Sequence, residues 1–289
     1  MKIAGFTFVR NAIKNDYPIV EAITSILPIC DEFIIACGNS SDNTLKLIQS
    51  INSPKIKTIN TIWNENLREG GKVFAEETDK AFNSISQNVD WAFYIQADEC
   101  VHEKYLDTIK NEMKKYLYSK SVEGLLFKYK HFYGSYNYYA LSRKWYRREI
   151  RIIRRNLSIK SYKDAQGFRL NNSKLKVKLI DAEIFHYGWV KSSTGILNKM
   201  QNFNFFYDKN ITIESISNDK KFDYGNADKL FQFKDMHPKV MLDRVVLSNW
   251  DFNPSKCKNK RSIQHRILQK IYELTGIRLF EYKNYKLIK

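Results

Sequence analysis

The chain has 289 residues, 43% of them hydrophobic and 14% aromatic, with 11 Gly and 5 Pro, which excludes a disordered or low-complexity chain. Its 48 Lys and Arg against 31 Asp and Glu give a formal net charge of +17, a balance that favours anionic partners without choosing among nucleic acid, phosphorylated ligands and anionic lipid. No apolar run approaches the roughly 20 residues that span a bilayer, and there is no internal repeat.

In chain order, 3–9 reads as a first β-strand. Arg10 follows it at once and no small-residue cleavage site is present, so it does not read as a signal peptide. Asp16 is placed to cap a helix with Pro18 in its first turn and Ile19, Ala22, Ile23 and Ile26 at helical spacing. A second strand, 33–37, ends in the turn Gly38-Asn39-Ser40-Ser41. Leu45, Ile48 and Ile51 mark a helix, 56–62 a strand, and Gly70-Gly71 opens a helix carrying Phe74, Ala81, Phe82 and Ile85. A buried strand at 91–95 precedes a helix over 103–118. This alternation predicts a three-layer α/β/α fold on a mostly parallel sheet, with polar residues at the strand ends meeting in one crevice.

After Glu123 the pattern changes to strands at 124–129, 150–154, 175–180 and 183–187, joined by aromatic and basic loops. These read as additions to the sheet. From about Thr194 the chain is helical, and Ile263, Ile267, Ile271 and Leu274, stopped by Gly276, form an amphipathic helix with a basic far face. The organisation expected is a catalytic domain over 1–190, split near 120 into two halves, and a helical basic region over 191–289. The cationic excess lies in Arg143 to Lys163 and in the tail from Lys256 through Lys258, Lys260, Arg261, Arg266 and Lys270. Four cysteines without paired spacing read as reduced thiols, which suits a cytoplasmic protein.

The most informative stretch is Trp91-Ala92-Phe93-Tyr94-Ile95-Gln96-Ala97-Asp98-Glu99. An apolar strand that ends in an acid places a hard oxygen donor at the crevice mouth, suited to Mg²⁺ or Mn²⁺ bridging a diphosphate. The same acid could instead cap a helix starting near Val101. Arg68, Glu69 and Lys72 flank Gly70-Gly71 at a helix start and could meet a diphosphate or only cap the helix. The stretch His131-Phe132-Tyr133-Gly134-Ser135-Tyr136-Asn137-Tyr138-Tyr139, with Trp145 and Tyr146, suits stacking on sugar rings, and in part simple core packing.

The order of these parts resembles the family-2-type glycosyltransferases of the GT-A fold over roughly the first 190 residues. The family's acidic turn reads here Cys37-Gly38-Asn39-Ser40-Ser41-Asp42-Asn43-Thr44, and its Asp-X-Asp motif reads Gln96-Ala97-Asp98. The resemblance implies transfer of a sugar from a nucleotide-sugar donor to an acceptor hydroxyl, with inversion and a divalent cation. It implies Asp98 and His186 as metal ligands, Asp164 as the general base with Glu149 and Glu183 as weaker alternatives, and Arg10, Asn11, Asn39, Asp42, Arg68, Lys72 and Gln96 on the donor side. Cys37-Gly38 replaces the acidic pair that faces the base, so the resemblance does not name the nucleotide.

A glycan, lipid-linked or protein acceptor is expected, with peripheral contact to an anionic cytoplasmic membrane face and no nucleic acid. Two rivals remain at this level: a sugar nucleotidylyltransferase, which would want a glycine-rich loop where Phe8-Val9-Arg10-Asn11-Ala12 stands, and a non-catalytic nucleic-acid- or glycan-binding relative.

Overall fold

The computed structural model describes residues 1–211, 222–227, 230–257 and 262–288. Lys258, Lys260 and Arg261 of the basic tail lie outside them. The first half alternates β1 (Ile3–Val9), α1 (Ile19–Ile26), β2 (Glu32–Gly38), α2 (Thr44–Gln49), β3 (Ile56–Thr61), α3 (Lys72–Asn83) and β4 (Trp91–Tyr94). A short β5 (Glu99–Val101) precedes α4 (Leu106–Lys115). The second half runs β6 (Gly124–Tyr133), β7 (Ser135–Ala140), β8 (Arg148–Arg154), β9 (Ile159–Tyr162), β10 (Gly167–Leu170), β11 (Ser173–Lys174) and β12 (Lys176–Trp189). Then come α5 (Ser193–Phe205), β13 (Leu230–Gln232), α6 (Leu242–Val246), α7 (Ile263–Thr275) and β14 (Lys286–Leu287).

The main sheet has the order β13-β7-β6-β8-β4-β1-β2-β3. β3, β2, β1 and β4 are mutually parallel, as the βα alternation requires. β8 enters antiparallel beside β4, and β6 pairs antiparallel with β8. The two strands expected at 175–180 and 183–187 are one strand, β12, which pairs parallel with β6 through two register shifts. That continuity matters because the same strand carries Val177 in the core and His186 at the site.

The sheet is three-layered because its strands are apolar on both faces. Ile3, Phe33, Ile35 and Phe93 pack with α1, α2 and α4 on one side. Ala4, Phe6, Ile34 and Tyr94 pack with α3 and the small sheet β9-β10-β11 on the other. Residues 191–289 add β13 to β7 and β14 to β12. Among the described residues no helix is long and apolar enough to cross a membrane.

Two local expectations change. Residues 99–101 are a strand, so Asp98 does not cap a helix there. Asp16 does not cap α1, which has no side-chain cap; it lies in the left-handed region at φ 48° and its carboxylate accepts from Arg244 at 2.8 Å. The apolar stripe of α7 is open to solvent at three of its four positions, with Ile271 half-buried. Ile263, Ile267 and Leu274 are exposed, and the buried residue of that helix is Gln269, whose side chain accepts from the backbone N–H of Arg143.

Candidate active site

A crevice of about 600 Å³ opens at the carboxyl ends of β1 and β4. Its wall includes Arg10 and Asn11 from the end of β1, Gln96 and Asp98 from the end of β4, Asp164 and His186. Asn39, Asp42, Arg68 and Lys72 are not part of that wall.

The floor is built on a buried ion pair. The Arg151 guanidinium donates to both oxygens of Glu99, at 2.8 Å each, and the two side chains are almost wholly buried. Tyr129 Oη donates to the same carboxylate at 2.7 Å. The backbone N–H of Gln96 also donates to Glu99, at 3.1 Å. Glu99 therefore fixes the loop that presents Asp98. A paired, multiply hydrogen-bonded charge can persist at this depth. Nothing in the sequence pattern announces Arg151, which reads as one more cation in the charged segment Arg148–Arg154.

Asp98 faces His186 across β12, with Asp98 Oδ2 and His186 Nε2 3.8 Å apart. A Cβ at Gly188 would lie 2.7 Å from Asp98 Oδ2 and 2.8 Å from His186 Nε2. Glycine therefore leaves open the gap that any other residue would fill. His186 Nδ1 lies 3.1 Å from His131 Nδ1, and His131 Nε2 lies 2.6 Å from the carbonyl of Tyr146. That carbonyl can only accept, so His131 carries its proton on Nε2 and accepts on Nδ1. His186 then donates from Nδ1 and keeps the Nε2 lone pair toward Asp98. Burial lowers the pKa of both rings, which holds them neutral. Burial alone would raise the Asp98 pKa, but the Lys199 ammonium beside it, with a smaller pull from Lys191, outweighs burial and holds the group well below the usual range.

These features fit a divalent cation. A carboxylate oxygen and an oriented imidazole nitrogen converge on a gap kept free by glycine, with room on the crevice side for ligand oxygens. Among the described residues no third His, Cys, Asp or Glu joins them in a ready cage. One residue that the motif reading missed stands in the way: Lys199 Nζ donates to Asp98 Oδ2 at 2.9 Å and to the carbonyl of Gly188 at 3.0 Å. Its only sequence signal was a lone cation on an otherwise apolar and amide-rich helix.

Asp164 sits in the loop between β9 and β10, where Lys163 and Ala165 take positive φ. Its Oδ2 accepts from Tyr207 Oη at 2.5 Å and its Oδ1 from Gln166 at 3.1 Å. Gln96 ties this loop to the end of β4 by donating to the carbonyl of Ala165 at 3.3 Å. Glu149 also lines the crevice and is buried, and its Oε2 has no hydrogen-bond partner among the described residues. Burial pushes its pKa up to about 8, against the opposing pull of Arg151. Glu183 lies elsewhere, paired with Lys130 and accepting from Tyr105.

The remaining donor-side residues have work inside the fold. The turn after β2 braces the turn after β1: Ser40 Oγ, Thr44 Oγ1 and Asp42 Oδ2 accept from the backbone N–H groups of Asn11, Ala12 and Lys14. Asn39 Oδ1 accepts from the backbone of Trp63, and the Asn39 carbonyl accepts from Arg10. Arg68 donates to the carbonyls of Phe205, Asp208 and Ile211, and Lys72 pairs with exposed Glu69. The N–H groups of Gly70 and Gly71, expected to meet a diphosphate, donate instead to the carbonyls of Tyr207 and Phe206. Arg68 and the double glycine thus clamp the end of α5 over the crevice.

The aromatic stretch divides in two. Phe132 and Tyr136 are core, packed with Phe185 and Tyr187. Trp145, Tyr146 and Trp189 line the crevice. The segment bearing Trp145 and Tyr146 is held by the chain's end: Arg278 donates to the carbonyls of Trp145, Leu141 and Ser142, and Arg147 pairs with Glu281 at 2.7 Å.

No family model and no curated protein matches the sequence. Solved structures give fold-level likenesses at low scores. Staphylococcus aureus TarS residues 1–349, in complex with UDP, has 13% identity and a TM-score of 0.41 over 70% of this chain and 64% of that one. Glucosyl-3-phosphoglycerate synthase from Mycobacterium tuberculosis, with Mn²⁺, UDP and phosphoglyceric acid, has 19% identity and a TM-score of 0.30 over 46% and 43%. The 4-diphosphocytidyl-2C-methyl-D-erythritol synthase of Anaerococcus prevotii has 11% identity and a TM-score of 0.39 over 68% and 94%. The chain thus spans just under two thirds of the TarS fragment.

Proposed function

We propose that this chain is a nucleotide-sugar-dependent glycosyltransferase. The observation that carries the reading is the meeting of Asp98 and His186 around Gly188, at the carboxyl end of a parallel strand and beside a carboxylate, Asp164, on the opposite loop. A crevice with a cation-binding floor and a separate proton acceptor suits displacement of a diphosphate by a hydroxyl.

In this reading Asp98 and His186 would hold Mn²⁺ or Mg²⁺, which supplies neutralisation of the leaving diphosphate when bound. Arg10, Asn11 and Gln96 contact the donor. Asp164 takes the proton of the acceptor hydroxyl as it attacks from the far side, giving inversion. Tyr207 and Gln166 each donate to one of its oxygens and leave a lone pair on each for that proton. Glu149 is the poorer base: with its pKa pushed up to about 8 it holds its proton at neutral pH and is not free to take one from the acceptor. Trp145 and Trp189 offer ring faces to the acceptor.

The nucleotidylyltransferase reading loses ground, because the N–H groups of Asn11, Ala12 and Lys14 are already taken by the β2 turn and cannot cradle a triphosphate. Peripheral contact with an anionic membrane is part of the proposal, supported by the exposed Ile263, Ile267, Leu274, Ile277 and Phe280 beside Arg266 and Lys270. The acceptor would then be a glycan on a lipid or on a protein at that surface.

The test is a panel of nucleotide-sugars and nucleoside diphosphates scored by thermal shift with Mn²⁺, followed by donor hydrolysis. A ligand at a hundredfold excess over its dissociation constant adds about 2.7 kcal/mol of apparent stability. A panel without any shift would remove the reading.

A further inference from the structure

We propose that Lys199 is a built-in counter-charge for the leaving diphosphate, so that the site binds a nucleoside diphosphate without a divalent cation. The ammonium and a divalent cation then compete for Asp98. This rests on the nucleotide-sugar reading and goes beyond it, since that reading assigns the neutralising charge to a metal alone.

Three observations carry it. First, the ammonium is built into the floor. Lys199 Nζ lies 2.9 Å from Asp98 Oδ2, the same oxygen that faces His186 Nε2, and 3.0 Å from the Gly188 carbonyl. It lies beside the rings of Tyr17 and Trp189, 5.6 and 5.9 Å from their centroids. The side chain is only 14% exposed, so this is not a lysine waving in solvent.

Second, its helix is pinned at both ends. Ser192 Oγ caps the start of α5 by accepting from the N–H of Gly195 at 3.1 Å. Arg68, Gly70 and Gly71 hold the carbonyls at its other end. A cation on such a helix has its position set before any ligand arrives, which is what charge stabilisation needs.

Third, the ammonium has three N–H donors, and among the described residues only two find acceptors. Lys199 lines the crevice. A phosphate oxygen entering there takes the third. A dication on Asp98 Oδ2 would instead meet the ammonium at contact range, in a site shielded from water, so one must leave for the other to bind.

The experiment is calorimetric titration of the full chain with UDP, GDP and CDP, in EDTA and in Mn²⁺, for wild type, Lys199→Met and Lys199→Arg. At least one nucleotide should bind wild type in EDTA within about threefold of its affinity in Mn²⁺. Lys199→Met should lose about tenfold or more in EDTA, the scale of a charge-assisted hydrogen bond, and regain binding in Mn²⁺ because Asp98 is freed. Lys199→Arg, which keeps the charge, should retain binding in EDTA and guards against a loss that is only misfolding. Wild-type binding that appears only with Mn²⁺, with Lys199→Met equal to wild type, would overturn the proposal and leave Lys199 as a clamp on α5. No binding by any protein under either condition would overturn the nucleotide reading itself, and this inference with it.

Discussion

The crevice floor and the C-terminal helix α7 are built from the same kinds of residue, cations and large apolar side chains, used in opposite ways. In the floor the charges are sunk and matched: Arg151 with Glu99, and Lys199 with Asp98. On α7 and the turn after it, apolar side chains stand in solvent, with Leu274 79% and Phe280 91% exposed. A buried, paired charge cannot relax toward water, so its position is fixed and available to chemistry. An exposed apolar stripe has no partner in the fold and favours a surface that supplies one. The two regions are joined through Arg278, Arg143 and Arg147, which hold the tail against the segment bearing Trp145. The tail therefore also shapes one wall of the crevice.

The comparison breaks most sharply at Arg151. Arg151→Met leaves Glu99 buried and charged with no counter-charge, held only by Tyr129 and the Gln96 N–H, and should cost about 3–5 kcal/mol of stability, read by urea denaturation. A loss below about 1 kcal/mol would mean that the floor is not held by this pair. Asp98→Asn should keep the fold and lower transfer by about 10³; near-normal turnover would remove Asp98 from the mechanism.

Asp164→Asn should lower the transfer rate by at least about 10² while donor affinity stays within about twofold. If donor affinity falls instead, Asp164 belongs to the nucleotide side. Glu149 offers a titration. Its folded pKa of about 8 lies above the ordinary carboxyl value of 4.5, so between those pH values the folded state holds a proton that the unfolded state has lost. Stability should therefore fall as pH rises through that window and level off above about 8. Glu149→Gln should remove on the order of 2 kcal/mol of the decline between pH 5 and 7. Parallel melting curves for the two proteins would show that Glu149 is not protonated in the fold.

The smallest expected effect tests the exposed side of the comparison. Removing everything after residue 255 would also delete β14 and the arginine clamp, so point changes are the cleaner probe. Phe280→Ser with Ile267→Ser should lower flotation with anionic vesicles about tenfold, without shifting the melting point by more than about two degrees. Flotation that is equal and salt-insensitive in both proteins would argue for an acceptor away from membranes.

Much of the site was legible because strand-end chemistry is local. A βα alternation with an acid after 91–95 is enough to put Asp98 at the crevice mouth, since parallel strands place their carboxyl ends together. Asn39, Asp42, Arg68 and Lys72 look the same in sequence as ligand-binding residues, because a turn brace and a phosphate contact both use short polar side chains and cations at loop ends. Only the three-dimensional arrangement separates them.

By itself, the sequence determined the parallel half of the sheet, the positions of α3 and α7, the stop at Gly276 and the placing of Asp98, because each follows from periodicity or from a residue's own backbone preference. The tertiary structure alone decided that Arg151 neutralises Glu99, that Gly188 leaves a gap between Asp98 and His186, and that Lys199 reaches Asp98 from 101 residues away. It also decided that most of the stripe of α7 faces solvent, with Ile263, Ile267 and Leu274 exposed. These are pairings between distant segments, set by which charges and surfaces the closed fold could bury together, and no local pattern encodes them.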